Sequence, residues 1–253
     1  MTATLRPALA ALDRRFVIAG LPVALGAGPV VIEKPRNPDD LISEDDYVRD
    51  ERLPYWADIW PASVVLANYV ESNARAEVAR GSGRVGAVGA VDGVGGEQAS
   101  RALELGCGLG LVTIAAIRAG YVTTATDYYE DATLFTARNA VSATGTEPAL
   151  RMVDWRALPA DLGTFDLVLA ADVLYERTYA ALVAETLRRT IAADGRALLA
   201  DQGRVALSSF LEEATARGLS HRAVHREARP IIPPAPEGST AHHVLTIYEL
   251  RHG

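Results

Sequence analysis

A glycine-rich turn between a strand-like run and a helix-like run constrains the fold of this chain more than any other feature. Residues 101–105 are mostly apolar, and Gly106, Gly108 and Gly110 follow them directly. A second apolar run, 111–119, comes next. Glycine adopts backbone conformations that other residues resist and lets a ligand come close. A helix that begins there directs N–H groups and a positive dipole end at the ligand, so the stretch predicts a nucleotide-type site.

Two acidic residues accompany this turn. Glu104 stands two residues before Gly106, and Asp127 ends the next apolar run, 121–126. An acid about 20 residues after such a turn is typical of a second strand that carries a carboxylate to a ribose. Taken alone, Asp127 is also a candidate helix N-cap, and the two roles are compatible. The dinucleotide-binding turn is a weaker match, because its last two glycines are separated by two residues.

From residue 101 onward, strand-like runs alternate with helix-like segments. We predict strands at 101–105, 121–126, 149–153, 165–171, 195–201, 219–226 and 242–250, with helices at 110–119, 130–143, 178–192 and 204–217. Such alternation, with nearly continuous apolar strands, predicts an α/β fold with a doubly wound, mostly parallel seven-stranded sheet. The last two strands are expected to add an antiparallel hairpin.

Several polar residues fall where predicted strands end. Ligands of doubly wound sheets bind beyond the carboxyl ends of the strands, so the turn, Asp127, Asp154 and Asp172 are predicted to share one pocket. Asp154 is suited to accept a hydrogen bond from an exocyclic amino group, and Trp155 to cover an adenine face. The alternative for Asp154 is a carboxylate that caps a turn.

The residues ahead of the main domain predict a small β structure and a tryptophan-rich stretch. Short strands are expected at 16–19, 21–25 and 30–32, as a hairpin or a three-stranded flap. Trp56 and Trp60 are either a core pair or a roof over a bound adenosyl group. We assign residues 1–60 to this N-terminal extension and 61–253 to the main domain.

Two segments are low in apolar residues or in sequence complexity. The acidic run 39–50 predicts a solvated linker or a short polar helix, or alternatively an acidic lip for a basic substrate. Residues 81–98 are rich in glycine and predict a flexible loop without a packed role.

Composition excludes several functional classes. The net charge of −7 advertises no basic surface for nucleic acid or anionic lipid. The single cysteine, Cys107, allows no internal disulfide and fits a reducing cytoplasm. We predict no membrane span, because no apolar run reaches about 18 residues, and no secretory signal. The five histidines lack acids at ligand spacing, so no metal site is predicted.

Together these motifs resemble a known family. They comprise the early strand pair, Tyr55–Ala62, Leu103–Gly110, Asp127, Asp154–Trp155 and Ala171–Tyr175. The combination resembles seven-β-strand methyltransferases, in particular the family that includes the protein-lysine methyltransferases acting on electron-transfer flavoprotein β and on valosin-containing protein. The resemblance covers about residues 16–250, and the glycine-rich insertion at 81–98 departs from it.

The resemblance implies S-adenosyl-L-methionine as the cofactor and a protein lysine as the methyl acceptor. The residues implied to contact the cofactor are Trp60, Glu104, Gly106, Gly108, Gly110, Asp127, Asp154, Trp155 and Ala171. Within this set, Glu104 and the glycines would line the methionine part, Asp127 would hold the ribose hydroxyls, and Trp60 would close over the cofactor.

Asp172 and Tyr175 are the candidate catalytic residues. They stand three residues apart after the fourth predicted main-domain strand, 165–171, and so face one side of a turn. Methyl transfer to nitrogen needs a neutral amine held about 3–3.5 Å from the methyl carbon. Asp172 would orient that amine. The structural alternatives are a helix cap for Asp172 and a core ring for Tyr175.

Other functions remain open at this stage. The same chemistry on a small amine, a cofactor-binding module without turnover, and a nicotinamide dehydrogenase are the alternatives. We expect a monomer with a protein substrate and without nucleic-acid or membrane partners.

Overall fold

The computed structural model describes residues 2, 5–37, 41, 55–79, 99–230 and 242–253. The glycine-rich segment 81–98 lies outside these residues, as does the acidic run 39–50 apart from Leu41. The predictions made for those two segments therefore stay predictions.

Nine strands and six α-helices are present in the described part of the chain. The strands are β1 Ile18–Val23, β2 Val30–Pro35, β3 Arg101–Leu105, β4 Val122–Asp127, β5 Ala149–Met152, β6 Phe165–Ala171, β7 Ile191–Asp201, β8 Leu219–Pro230 and β9 His242–His252. The helices are α1 Leu5–Arg15, α2 Pro61–Ala79, α3 Leu111–Arg118, α4 Glu130–Thr144, α5 Tyr179–Thr190 and α6 Leu207–Ala216.

Seven of these strands form one sheet in the order β5–β4–β3–β6–β7–β9–β8. Neighbouring strands from β5 to β7 run parallel, and β9 pairs antiparallel with both β7 and β8. The predicted doubly wound, mostly parallel sheet with a terminal antiparallel hairpin is confirmed. The chain winds outward from β3 to β5 and then crosses to β6, so the winding direction switches between β3 and β6. That switch point is where such sheets bind ligands.

Both faces of the sheet are covered, which explains why its central strands are apolar throughout. Alternate residues of β3 enter opposite core clusters: Ala102 lies with α2, α3 and α4, and Leu103 lies with α5 and α6. Phe135 on α4 and Phe210 on α6 are fully buried in these two clusters. Burying one such ring stabilises the fold by about 1.5–3 kcal/mol.

The N-terminal β structure is a two-stranded antiparallel hairpin, so the three-stranded alternative was wrong. Gly20, expected to separate two strands, lies inside β1 and pairs with Glu33 of β2. Val23, Val30 and Ile32 of the hairpin are buried in the same cluster as Phe135. The hairpin therefore packs on α4, and the chain ahead of it forms α1.

No helix in the described ranges combines the length and apolar character that crossing a lipid bilayer demands.

Candidate active site

A cavity of about 350 Å³ opens beyond the carboxyl ends of β3, β4 and β6. All eleven residues predicted from the sequence line it. They are Trp60, Glu104, Gly106, Gly108, Gly110, Asp127, Asp154, Trp155, Ala171, Asp172 and Tyr175. The glycine turn, Asp127, Asp154 and Asp172 thus share one cavity, as their positions at strand ends predicted, while the role of each residue stays a prediction.

The glycine turn is shaped by its own hydrogen bonds and by close neighbours. Gly110 N donates to Cys107 O at 2.8 Å, which closes the turn just before α3. Gly110 has φ of +82°, and a Cβ there would lie 2.9 Å from Thr136 Cα on α4. A side chain at position 110 would therefore be strained and would also push α4 away. The turn needs glycine because two helices meet over it.

Glu104 is a buried carboxyl group at the floor of the cavity. It is 3% exposed and accepts hydrogen bonds from the hydroxyl and backbone N–H of Thr113 in α3. Burial raises the pKa of Glu104 to about 8, against the stabilising effect of those hydrogen bonds on the charged form. A cation in the cavity would reverse this balance, because it favours the carboxylate.

Asp127 ties three parts of the site together at the end of β4. Its Oδ2 accepts from Gly108 N at 3.0 Å, and its Oδ1 accepts from Tyr129 N at 3.1 Å, just ahead of α4. Its backbone carbonyl accepts from Val153 N at 2.8 Å. Burial raises the pKa of Asp127, and the backbone donors oppose that rise. The carboxylate therefore faces the cavity and holds the segment just ahead of α4. The N-cap position of that helix is Tyr129, so Asp127 is not its N-cap, and its role toward a ribose stays a prediction.

Asp154 has the turn-capping contacts that were its alternative interpretation. It accepts from Arg156 N at 2.9 Å, at the start of a short 3₁₀ helix, and its carboxylate pairs with the Arg156 guanidinium at 2.8 Å. Trp155 lies beside it with its ring edge-on to Tyr179, 5.5 Å between centroids. Both residues still line the cavity, so capping and ligand contact are compatible here.

Aromatic rings form a continuous row along the cavity. Tyr55 contacts Trp60 at 5.9 Å and Tyr175 at 5.4 Å between ring centroids, and Tyr175 contacts Tyr179 at 5.1 Å. Burial and the neighbouring Tyr179 raise the pKa of Tyr175. Tyr175 therefore carries a neutral hydroxyl and is unsuited to act as a base.

The two tryptophans both line the cavity but differ in burial, and a roof over a bound adenosyl group stays a prediction. Trp56 is 9% exposed, and its ring packs against Phe135 at 5.7 Å in the core. Trp60 is less buried, lies at the cavity and donates from Nε1 to Tyr55 O at 2.8 Å.

Asp172 has an unusual backbone and a fully engaged carboxylate. Its φ of +59° is the only positive value of a non-glycine residue in the described part of the chain. Asp172 N donates to Ala200 O of β7, which fixes this conformation. Its Oδ1 accepts from Arg204 Nε at 2.7 Å, and its Oδ2 from Gln202 Nε2 at 2.7 Å. Asp172 does not cap α5, where the N-cap position is Thr178.

Sequence reasoning missed four residues at the cavity or behind it: Tyr55, Tyr179, Gln202 and Arg204. Tyr179 follows Tyr175 by one helical turn, and that spacing was a usable signal. Gln202 and Arg204 directly follow β7. The strand-end rule that selected Asp172 after β6 would have selected them too.

Two further features of the site are the reactivity of Cys107 and the arrangement of candidate metal ligands. The Cys107 thiol is buried inside the turn, and burial raises its pKa, so it packs as a small unreactive side chain. Within the described ranges, no group of three or more His, Cys, Asp or Glu side chains is placed to hold a metal ion.

Comparison with known proteins gives two curated relatives of low identity. The chain is 26% identical to the electron transfer flavoprotein beta subunit lysine methyltransferase of Xenopus laevis over 160 residues, which are 62% of this chain and 55% of that protein. It is 29% identical over 133 residues to a human sequence named putative methyltransferase-like protein 21E pseudogene, covering 49% and 42% of the two chains. The chain thus spans about half the length of the curated relatives it matches.

Solved structures show the same fold at still lower identity. The Synechocystis magnesium protoporphyrin IX methyltransferase, solved with bound S-adenosylmethionine, superposes with a TM-score of 0.52 at 18% identity and covers 82% of this chain and 94% of its own. The Bacillus YcgJ protein superposes with a TM-score of 0.50 at 15% identity, covering 61% and 93%. The sheet described above is therefore the Rossmann-like fold of class I methyltransferases.

A family model described as lysine methyltransferase matches residues 50–217. That range contains every predicted site residue and about two thirds of the chain. This chain belongs to the lysine methyltransferase family.

Proposed function

We propose that this protein is an S-adenosyl-L-methionine-dependent N-methyltransferase that methylates lysine side chains of a protein substrate. The observation that carries the proposal is the shared cavity. It joins a glycine turn with two buried acids, Glu104 and Asp127, to an aromatic-lined end that contains Asp172 and Tyr175.

The residues present fit S-adenosyl-L-methionine. This cofactor carries an ammonium and a sulfonium, and Glu104 offers a buried carboxyl group whose charged form a nearby cation favours. Asp127 keeps lone pairs for the ribose hydroxyls while its backbone donors hold it in place. Trp155 offers an aromatic face beside it.

The cofactor supplies an activated methyl group on its sulfonium. Transfer would form a bond between the acceptor nitrogen and the methyl carbon while the bond from that carbon to sulfur breaks, and the proton that the acceptor ammonium must first lose would go to solvent. The work of this chain is to hold the acceptor in line and to exclude water. Tyr55, Trp60 and Tyr175 form an apolar wall suited to that work.

A lysine fits the aromatic end of the cavity. Its long apolar stem packs on rings, and its amino group is attracted to their faces while charged. Its ordinary pKa of about 10.4 means that neutralising it at pH 7 costs roughly 4–5 kcal/mol. The site must therefore favour the neutral amine.

The partners and location are part of this proposal. The negative net charge favours a basic protein segment over nucleic acid as the substrate. The single buried cysteine suits a reducing cytoplasm, and we propose a monomeric enzyme there.

The test uses cofactor labelled on its methyl group and a cell lysate. Wild-type protein should label a discrete protein band, and acid hydrolysis should release methylated lysine. Asp172→Asn should remove most of the label, whereas Asp161→Asn, a change at an exposed surface ion pair, should not. Label confined to the small-molecule fraction would show that the substrate is a small amine and not a protein. Cofactor binding without methyl transfer would show that the chain is a binding module.

A further inference from the structure

Arg204 is a charged residue at the acceptor end of the cavity to which the proposed reaction assigns no role. Its guanidinium lies 5.1 Å from the centroid of the Trp60 ring and donates from Nε to Asp172 at 2.7 Å. The side chain of Asp172 is 2% exposed and that of Arg204 is 28% exposed. The ion pair is therefore shielded from water on the carboxylate side and open on the cavity side.

The loop after β7 holds Arg204 in this position. Fully buried Asp201 accepts from Gly203 N at 2.6 Å and from Arg204 N at 2.8 Å through the same oxygen, Oδ1. Gln202 donates to both oxygens of Asp172. Backbone and side chain of the 201–204 segment are thus both tied down, so Arg204 is placed before any substrate arrives.

This placement decides how an amine meets Asp172. A carboxylate without a partner beside an ammonium favours the charged amine, which cannot attack the methyl group. A carboxylate that is already paired with a guanidinium stabilises that ammonium much less. The guanidinium itself, as a like charge, further disfavours the protonated amine.

We propose that Arg204 is a positioning residue that keeps Asp172 neutralised, so that the acceptor amine stands beside the methyl group without its proton. This inference rests on the proposed function and deepens it. Asp172 then acts as a hydrogen-bond anchor of a fixed ion pair. Favouring the neutral amine becomes the shared task of Arg204, the desolvating rings and the positive charge of the cofactor.

Other charged groups near this end of the cavity do not reverse the preference for the neutral amine. Asp201 faces Asp172 from β7, but burial raises its pKa, and its Oδ2 has no partner within the described residues. Tyr175 keeps its proton. Asp58 is paired with Lys34, and Glu176 is partly buried at the cavity, where it accepts from the Thr178 hydroxyl at 3.4 Å. Glu104 and Asp127 lie on the cofactor side and are common to all variants below.

The test uses sinefungin, the cofactor analogue in which a primary amine on carbon replaces the methyl sulfonium. Its amine reports the electrostatics at the methyl position without any acceptor. We expect Arg204→Gln to tighten sinefungin relative to S-adenosylhomocysteine by about tenfold or more at pH 7.5, because the freed Asp172 favours the ammonium. Arg204→Lys keeps the charge and should leave the ratio of the two dissociation constants within about twofold.

A double-mutant cycle separates this role from a structural one. In an Asp172→Asn background, Arg204→Gln should raise the preference for sinefungin much less than it does in wild type, because only the like-charge repulsion of the guanidinium is then removed. A general loosening of the loop would weaken both ligands equally in either background, and that outcome would overturn the proposal. An unchanged ratio in Arg204→Gln protein that still binds S-adenosylhomocysteine would overturn it as well.

Turnover gives an independent readout once labelling has identified an acceptor protein. Arg204→Gln should move the rising limb of the pH–rate profile upward by about one pH unit or more, with activity recovered at high pH. If wild-type protein binds both analogues but methylates no lysine, the proposed function alone is refuted. If the rate of Arg204→Gln falls by the same factor at every pH, only the role of Arg204 is refuted.

Discussion

At the scale of single residues, Glu104 makes the stability of the fold depend on pH. Its pKa rises from an ordinary 4.5 to about 8 on folding, because the carboxyl group is buried. A raised acid pKa means that the folded state binds more protons than the unfolded one between these values. The contribution of Glu104 to stability is therefore present below pH 4.5 and is lost as the pH rises through 8.

We expect Glu104→Gln to gain stability relative to wild type as the pH rises from 5 to 9 without cofactor. An amide cannot ionise, so it escapes the cost of the buried charge. Urea unfolding midpoints across that pH range measure the difference. Glu212→Gln on the exposed side of α6 is the control and should show no such trend; a flat difference for Glu104→Gln would contradict the burial argument.

The same variant should bind S-adenosyl-L-methionine more weakly. At pH 7, binding to wild type should also release protons, because the cationic cofactor favours the carboxylate. Calorimetry in buffers of different ionisation enthalpy measures the released protons. Equal proton release by wild type and Glu104→Gln would assign the effect to another group.

Asp127 and Asp172 should separate binding from turnover. Asp127→Asn removes a charged acceptor at the ribose, a hydrogen bond worth roughly 1.5–3 kcal/mol, so the dissociation constant for S-adenosylhomocysteine should rise about tenfold or more. Asp172→Asn should change that constant by only a few-fold while lowering kcat strongly. Calorimetry and single-turnover labelling check the two halves, and equal cofactor affinity in all three proteins would remove the ribose assignment.

At the scale of elements, the glycine turn and α4 form one unit. Gly110→Ala introduces a Cβ 2.9 Å from Thr136 in a left-handed conformation, whereas Gly145→Ala has a similar φ of +72° and open space around it. Gly145→Ala should cost about 1–2 kcal/mol from backbone strain. Gly110→Ala should cost clearly more and should abolish cofactor binding. Urea unfolding with cofactor titration compares them, and equal losses would show that the contact with α4 is unimportant.

The elements also show what a sequence reveals and what it hides. The strand ends that build the cavity were predictable, because apolar runs and their polar endings are local patterns. The length of β8 was not, since its last residues, up to Pro230, are strand only because β9 pairs with them. For the same reason, the pairing of Asp172 with Arg204 was hidden: it depends on two strands that become neighbours only in the folded sheet.

At the scale of the whole molecule, Asn139 joins the N-terminal hairpin to the cofactor turn. This fully buried residue of α4 accepts from Glu33 N at 2.8 Å and donates to the carbonyls of Glu33 and Leu109, each at 2.9 Å. It therefore links β2 to the glycine turn across the core. The hairpin is fixed to the same framework as the site.

We expect Asn139→Ala to destabilise the protein by about 2–4 kcal/mol. The change leaves several buried backbone groups without a hydrogen-bond partner, and each such group costs about 1–3 kcal/mol. It should also weaken the cofactor through the loosened turn. Asn73→Ala is the matched control, since among the described residues the Asn73 amide donates to the Tyr69 carbonyl of its own helix. Urea unfolding and calorimetry measure both effects, and similar losses in the two variants would deny the link.

The place of β9 inside the sheet has a consequence for synthesis on the ribosome. In the sheet, β9 lies between β7 and β8. A nascent chain that has emerged only as far as β8 therefore lacks the strand with which β8 pairs. The backbone of β8 stays unpaired along both edges until β9 leaves the exit tunnel and inserts between β7 and β8. Ribosomes stalled shortly before residue 242 should accordingly hold a chain that proteases cut within β8, and release of the finished chain should end that sensitivity.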